Sequence, residues 1–275
     1  LVATHDVVLL QETHGCLADL ASLRCRLLRH FVFGSFTVGQ RGGGIVFIID
    51  PSFAEAYLGG AVCPLRLVTV IPGRLAKVIF PGTPRRNALE IVNIHLEVES
   101  PADEPGHLGA RCGFVSTLVR NLAPRSEAHT FIGGDWNCTA SDEPRFNPVE
   151  GTLTSDRSTV ARLVEAALEQ YTELYQPHYT RRGTSGGGIV SLSRIDRLYS
   201  NCATCELIDR RPLVATVGIV TVTTSPSDHV PLSASLNEPR AAPPSHPKVA
   251  TWVVQHRFYP DAVAELWRTA RHVAG

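Results

Sequence analysis

The apolar runs of this chain are strand-sized, and they keep ending in polar residues. Phe131-Ile132-Gly133-Gly134-Asp135-Trp136-Asn137 is the sharpest case. A short apolar strand meets a pair of glycines, then presents an aspartate and, two positions on, an asparagine. Strand alternation puts Asp135 and Asn137 on the same side, at the end of a buried element. The glycines let the backbone turn sharply or approach a ligand closely. A carboxylate and an amide on a rigid strand end suit a phosphate, its attacking water and a metal. An isolated Gly-Asp-x-Asn also reads as an Asx-type turn closing a strand.

Other clusters share this property. Glu12 follows Val7 to Leu10, and Asn93 and His95 lie on the run Ile91 to Leu96. Asp196 sits within Ser193-Arg194-Ile195-Asp196-Arg197-Leu198-Tyr199, and Asp228 and His229 stand just before the run Pro231 to Leu236. Taken singly, a strand-end histidine is commonly a satisfied core residue, and an Asp-His pair commonly a turn. Together they supply a hard carboxylate for Mg²⁺, a second acid, a phosphate-orienting amide and an Asp-supported imidazole. Mg²⁺ prefers oxygen ligands and keeps most of its waters, so one or two carboxylates suffice. Charge building on phosphoryl oxygens calls for a metal and fixed donors, and proton transfer calls for an imidazole or carboxylate of adjusted pKa.

The spacing predicts further strands at Phe31 to Val38, Gly44 to Ile49, Leu65 to Ile71, Arg74 to Phe80, Leu89 to His95, Ile195 to Tyr199 and Leu213 to Thr223. Helical periodicity marks Leu17 to Leu28, with Leu17, Leu20, Leu23 and Leu27 on one face. It also marks Gly106 to Leu122, and Ser158 to Gln170 with Ser155 or Asp156 as cap. Arg181 to Gly188 reads as a flexible, basic, glycine-rich loop. Many strands and few helices predict an α/β fold of two mainly antiparallel sheets packed together with outer helices, not strict βαβ alternation.

At 275 residues the chain can bury a full core, and 44% hydrophobic with 19% charged residues argues against disorder. No apolar run is long enough for a bilayer, so no membrane role is expected. Formal charge is +0, and Lys77 and Lys248 are the only lysines. The arginine bias suits bidentate phosphate contacts but equally reflects genomic composition. An odd count of 7 cysteines at irregular spacing predicts reduced intracellular thiols. Cys202-Ala203-Thr204-Cys205 has metal-ligand spacing but lacks a second pair. With Met 0 and a start in mid-pattern at Leu1, the chain is expected to be an internal fragment of a longer protein. Residues 1–236 form the expected domain, 237–249 a Pro/Ala-rich linker, and 250–275 a helical segment leading to a downstream region.

Gln11-Glu12-Thr13, Gly134-Asp135-Trp136-Asn137, Ser193-Arg194-Ile195-Asp196 and Ser227-Asp228-His229 occur in the order seen in the endonuclease/exonuclease/phosphatase superfamily. The resemblance covers approximately Leu1 to Leu236. Gln11-Glu12-Thr13-His14, Gly43-Gly44-Ile45-Val46-Phe47-Ile48, and Ser193 to Tyr199 preceded by Tyr179-Thr180 look most like endonucleases of LINE-type (non-LTR) retrotransposons. These are similar to exonuclease III-type apurinic/apyrimidinic endonucleases and, more distantly, to deoxyribonuclease I.

The resemblance implies a DNase I-like four-layer α/β sandwich and a Mg²⁺-dependent DNA endonuclease, with Mn²⁺ as a possible substitute. A repair apurinic/apyrimidinic endonuclease, another phosphoesterase of the same fold, and a decayed non-catalytic copy are the alternatives. Glu12 would be the principal metal ligand, with Asp228 beside the metal. Asp135 would position or deprotonate the attacking water, and Asn137 would hold the scissile phosphate. His95 stands where the family contacts phosphate. His229 would neutralise the phosphate or act as acid–base group, with Asp196 accepting its ring proton. Arg41, Arg181 and Arg182 would follow the DNA backbone. A linked reverse transcriptase and an intracellular, nuclear location are implied too. The family's first strand, with its asparagine, has no counterpart before Glu12, so weak or absent nicking is expected of this chain.

Overall fold

The computed structural model describes residues 2, 4–37, 43–59, 65–84, 87–98, 105–155, 158–176, 178–185, 188–202, 214–219 and 227–237. Arg41, all but Asn237 of the expected linker 237–249, and the expected helical segment 250–275 lie outside them. The chain divides into two compact units, Leu1–Glu238 and Pro239–Gly275, and everything below concerns the first. Among the described residues, no helix is long and apolar enough to cross a membrane.

In chain order the elements are β1 (Val7–Leu10), α1 (Leu17–Arg26), β2 (Phe31–Ser35), β3 (Ile45–Ile49), α2 (Pro51–Leu58), β4 (Arg66–Ile71), β5 (Leu75–Phe80), β6 (Ala88–His95) and α3 (Pro105–Asn121). There follow β7 (Ala128–Asp135), β8 (Pro144–Asn147), β9 (Thr152–Ser155), α4 (Thr159–Ala167), β10 (Thr172–Glu173), β11 (Arg181–Ser185), β12 (Gly188–Ser193), β13 (Asp196–Ser200), β14 (Val214–Ile219) and β15 (Leu232–Asn237).

Alternation along β3 explains the layering. Ile45, Phe47 and Ile49 point to one face and join Ala76, Val78, Phe80, Leu89 and Ile91 of β5 and β6 in a shared core. Val46 and Ile48 point to the other face and meet Val8, Val32 and Leu20 of α1. All of β3 is therefore buried, the mark of a strand covered on both faces. The larger sheet repeats the logic. Its outer face packs Val92, Ile94 and Ile132 against Phe114, Val115 and Leu118 of α3 and Val160 and Val164 of α4. Helix, small sheet, large sheet and helices thus stack as the expected four layers, each fully buried large side chain contributing roughly 1.5–3 kcal/mol.

The strand order is β1-β3-β2 in one sheet and β10-β13-β7-β6-β5-β4 in the other. Strands β11-β12-β8-β9 form a separate four-stranded sheet, and β14-β15 a two-stranded one. All pairings are antiparallel except β6 with β7.

Among the described strands, β1 pairs only with β3 and β15 only with β14. Between them runs a cleft of about 740 Å³. Its walls are Thr4 to Glu12, which include β1, and Leu232 to Ala234 of β15, and its lining includes Leu89, Ile91, Phe131 and Leu198. The same cleft takes in Glu12, Asp135, Asp196 and His229.

Several local expectations need correction. Arg181 to Ser185 is a strand, not a flexible loop, because its backbone pairs along β12. The cap of α4 is Ser158, whose hydroxyl accepts from Ala161 N at 3.2 Å. Leu17 is 74% exposed, because the first turn of α1 overhangs the sheet that buries Leu20. Leu108 and Val119 of α3, which helical spacing places on one apolar face with Val115 and Leu118, are likewise partly solvent-facing, whereas Phe114 is buried in the core. The short helix α2 was not expected, although Asp50 accepts from Ser52 N and Phe53 N and Pro51 follows it, a complete N-terminal signal.

Candidate active site

Strand register decides which polar clusters meet. In the parallel pairing of β6 with β7, His95 stands beside Asp135. In the antiparallel pairing of β13 with β7, Asp196 stands opposite Asp135. One row across three neighbouring strands therefore carries His95, Asp135 and Asp196. Gly134 makes the crowding possible. Its φ is +144°, and a Cβ there would lie 2.0 Å from Ile94 O.

Glu12 arrives from the other sheet on a tightly pinned loop. Asn93 is fully buried between the sheets, its amide donating to Leu10 O at 3.1 Å and Val46 O at 3.2 Å. It accepts from Gln11 Nε2 at 2.6 Å. Thr13 N donates to Gly44 O at 3.1 Å and His14 N to Gly43 O at 2.9 Å. Glu12 and His14 adopt φ of 49° and 46°, a left-handed conformation uncommon outside glycine and sustained here by those bonds.

The result is a compact set of ionisable groups. His95 Nε2 is 3.0 Å from Glu12 Oε1 and 4.0 Å from Asp135 Oδ2. His229 Nδ1 is 2.9 Å from Asp196 Oδ2, and its Nε2 is 3.9 Å from Asp135 Oδ2. Asp135 Oδ2 thus lies between two imidazoles. Asp135 is itself oriented by Asn137, whose backbone N–H donates to Oδ1 at 2.8 Å and whose Nδ2 donates to Oδ2 at 2.9 Å. The same Nδ2 donates to Leu96 O at 2.7 Å. Both amide hydrogens of Asn137 are then engaged, so in this arrangement it holds the aspartate, the expected phosphate contact requiring that amide to turn.

His229 is placed by backbone. It bridges to Arg181, Arg182 N donates to Asp228 O at 2.9 Å, and Val230 N donates to Thr180 O at 2.7 Å. Thr180 Oγ1 in turn accepts from Ile195 N at 3.1 Å and Asp196 N at 3.0 Å, fixing the partner carboxylate. Beneath it, Arg194 is clamped by Glu143 and Glu173. Arg181 Nε meets Asp228 Oδ2 at 3.0 Å, so this basic side chain pairs with an acid expected beside the metal. Arg182 shows no side-chain contact with the row.

Environment sets the protonation states. Burial opposes charge on Asp135, and Asp196 repels it, so its pKa rises to about 7 despite the nearby His229. Burial would lower His229, but the Asp196 hydrogen bond and charge, with Asp135 and Asp228, lift it to about 9. Burial and the Arg74 charge push His95 down to about 4, against the pull of Glu12. The site therefore holds one cationic and one neutral imidazole, an unequal pair suited to divided acid–base roles.

Two groups of side chains converge closely enough to hold a metal: Glu12, His95 and Asp135, and Asp135, Asp196 and His229. Glu12 and Asp135 present the carboxylate oxygens a hard cation takes. Asp228 belongs to neither group among the described residues. The sequence reading missed Arg74, whose Nη1 lies 3.0 Å from His95 Nδ1. Its only sequence signal is the Pro72-Gly73 turn that precedes it.

A family model described as the endonuclease/exonuclease/phosphatase family matches residues 1–229. The chain belongs to that family. No curated protein sequence matches it. Solved structures with a similar fold include the AP endonuclease LMAP from Leishmania major, at 15% identity and TM-score 0.61, covering 85% of this chain and 79% of that one. The Xenopus laevis APE2 catalytic domain matches at 15% identity and TM-score 0.60, covering 85% and 84%. D. rerio TDP2 complexed with single strand DNA product matches at 16% identity and TM-score 0.54, covering 86% and 87%. For this family member, these likenesses establish the DNase I-like fold.

Proposed function

We propose that this chain is a Mg²⁺-dependent phosphodiesterase that nicks duplex DNA, the endonuclease of a LINE-type retrotransposon linked to a reverse transcriptase. The observation carrying the phosphodiesterase reading is Asp135 Oδ2, held by Asn137 and flanked by His95 and by the Asp196-supported His229. DNA as substrate is supported by the similarity to AP endonucleases and to TDP2 with its DNA product. The LINE assignment rests on Gln11 to His14, Gly43 to Ile48 and Ser193 to Tyr199.

Glu12 and Asp135 would hold the cation, with Mn²⁺ able to replace Mg²⁺. Bound there, it would supply positive charge to the phosphoryl oxygens. Asp135 accepts a proton from the attacking water as the water oxygen bonds to phosphorus, the P–O bond to the departing sugar oxygen breaks, and that oxygen takes a proton from solvent. Cationic His229 donates Nε2–H to a non-bridging phosphoryl oxygen, and Asp196 keeps its Nδ1–H engaged. Charge thus accumulates on oxygens already faced by fixed donors.

The deciding experiment is Mg²⁺-dependent relaxation of supercoiled plasmid by the wild type, Asp135→Ala and His229→Ala. Loss of nicking in both variants is expected, and retained activity would overturn the mechanism. The AP endonuclease likenesses favour abasic-site cleavage as the second reading, and preference for an abasic duplex over intact plasmid would select it.

A further inference from the structure

We infer that Arg111 and Arg197 are positioning residues of this site, two buried guanidiniums that hold the turn by which Asn137 grips Asp135. Both break the pattern of the element that carries them. Arg111 of α3 shares the helix stripe of Phe114, Val115 and Leu118 that packs into the core, and it is buried there with them. Arg197 shares the covered face of β13 with Tyr199 and is buried as well. Burying a cation costs free energy unless hydrogen bonds replace its water, and an apolar side chain at either place would fill the core without that cost. Such a local conflict is expected where a functional site is being held.

The two cations hold consecutive carbonyls of the turn. Arg111 Nη2 donates to Asn137 O at 3.1 Å, and Arg197 Nη2 donates to Cys138 O at 3.0 Å. Arg197 Nη1 also donates to Tyr199 Oη at 3.3 Å, and Tyr199 packs edge-on against Trp136 with ring centroids 5.1 Å apart. Asn137 takes a left-handed backbone, which a residue with a Cβ keeps only where its surroundings fix it. The peptide before it is fixed on the side of the site, its N–H donating to Asp135 Oδ1 at 2.8 Å. The peptide after it is fixed from the core, by Arg111. With both planes set, the side-chain amide faces Asp135 Oδ2 and Leu96 O. Burial keeps both guanidiniums from any substrate, so they act through Asn137.

The consequence for catalysis rests on the proposed function, whereas the turn is measured on the protein alone. In ¹⁵N-labelled protein, with the Asn137 signals assigned by Asn137→Gly, the backbone N–H and side-chain amide of Asn137 should exchange slowly with solvent. Arg111→Met and Arg197→Met, which keep a long unbranched side chain, should each remove that protection while the β6 and β7 amides keep theirs. In the same variants kcat for Mg²⁺-dependent nicking should fall by about 10²-fold with KM unchanged, the effect of a small displacement at the reacting centre. Arg111→Lys, which keeps a charged donor, should recover most of the rate. Freely exchanging Asn137 amides in the wild type would overturn the inference even if the methionine variants fail to fold. So would wild-type exchange in folded Arg111→Met and Arg197→Met, or a rise in KM with kcat unchanged, which would mark a substrate contact. Protection lost as expected, in a protein whose wild type does not nick DNA, would leave the inference standing and remove the functional reading instead.

Discussion

Asp196 and His229 form the shortest acid–imidazole contact of the site, Oδ2 to Nδ1 at 2.9 Å, though they are far apart in the chain. The carboxylate sits on β13, opposite Asp135, and the imidazole is delivered by the segment leading into β15. This pairing keeps His229 charged and turns its Nε2 toward Asp135.

Asp196→Asn tests the pairing. The amide keeps the shape but removes the negative charge, so the pKa of His229 should fall from about 9 toward that of an ordinary histidine. Nicking should drop by about 10²–10⁴-fold, the range for one misdirected acid–base group. A ring titration unchanged by the substitution would show that Asp196 does not support His229.

The pH profile follows from two raised values. Activity should rise as pH passes about 7, where Asp135 loses its proton, and fall as pH passes about 9, where His229 loses its own. A bound cation would move the lower limb further down. The stability consequence has a definite sign. The folded-state pKa of His229 is raised from 6.5 to about 9, so its contribution is full below 6.5 and is lost as pH rises through 9. Urea midpoints measured from pH 6.5 to 9 should decline in the wild type and decline less in His229→Gln. Asp135, also raised, gives a decline between 3.8 and about 7. His95, lowered to about 4, opposes it below 6.5.

Asn137 combines a left-handed backbone, φ 45°, with an amide that orders Asp135. Asn137→Gly should keep the backbone, lose the amide and abolish most activity with little structural change. Both variants leave Leu96 O without its donor, and Asn137→Ala alone adds the strain of a left-handed backbone, lowering stability by about 1–2 kcal/mol more than Asn137→Gly. Equal stability of the two variants in urea would refute the backbone part.

What the sequence determined by itself was local. Alternating and helical periodicity marked most strands and the helices α1, α3 and α4, because those patterns arise from each element's own buried face. The ordered clusters at Glu12, Asp135, Asp196 and His229 also named the chemistry, since few side-chain types can do it. Arg181 to Ser185 hid its strand because glycine and arginine carry no apolar alternation, and only backbone pairing with β12 reveals it. Leu17 obeyed helical spacing yet met no sheet.

Tertiary structure alone decided which groups meet. The β6–β7–β13 register aligned His95, Asp135 and Asp196. Burial then made Asp135 a weak acid and His95 a neutral ring, while Asp196 kept His229 a cation against its own burial. Arg74 joined them through a turn, and Asn137 was turned inward onto Asp135. Register and desolvation belong to residues far apart in the chain, and no local pattern carries them.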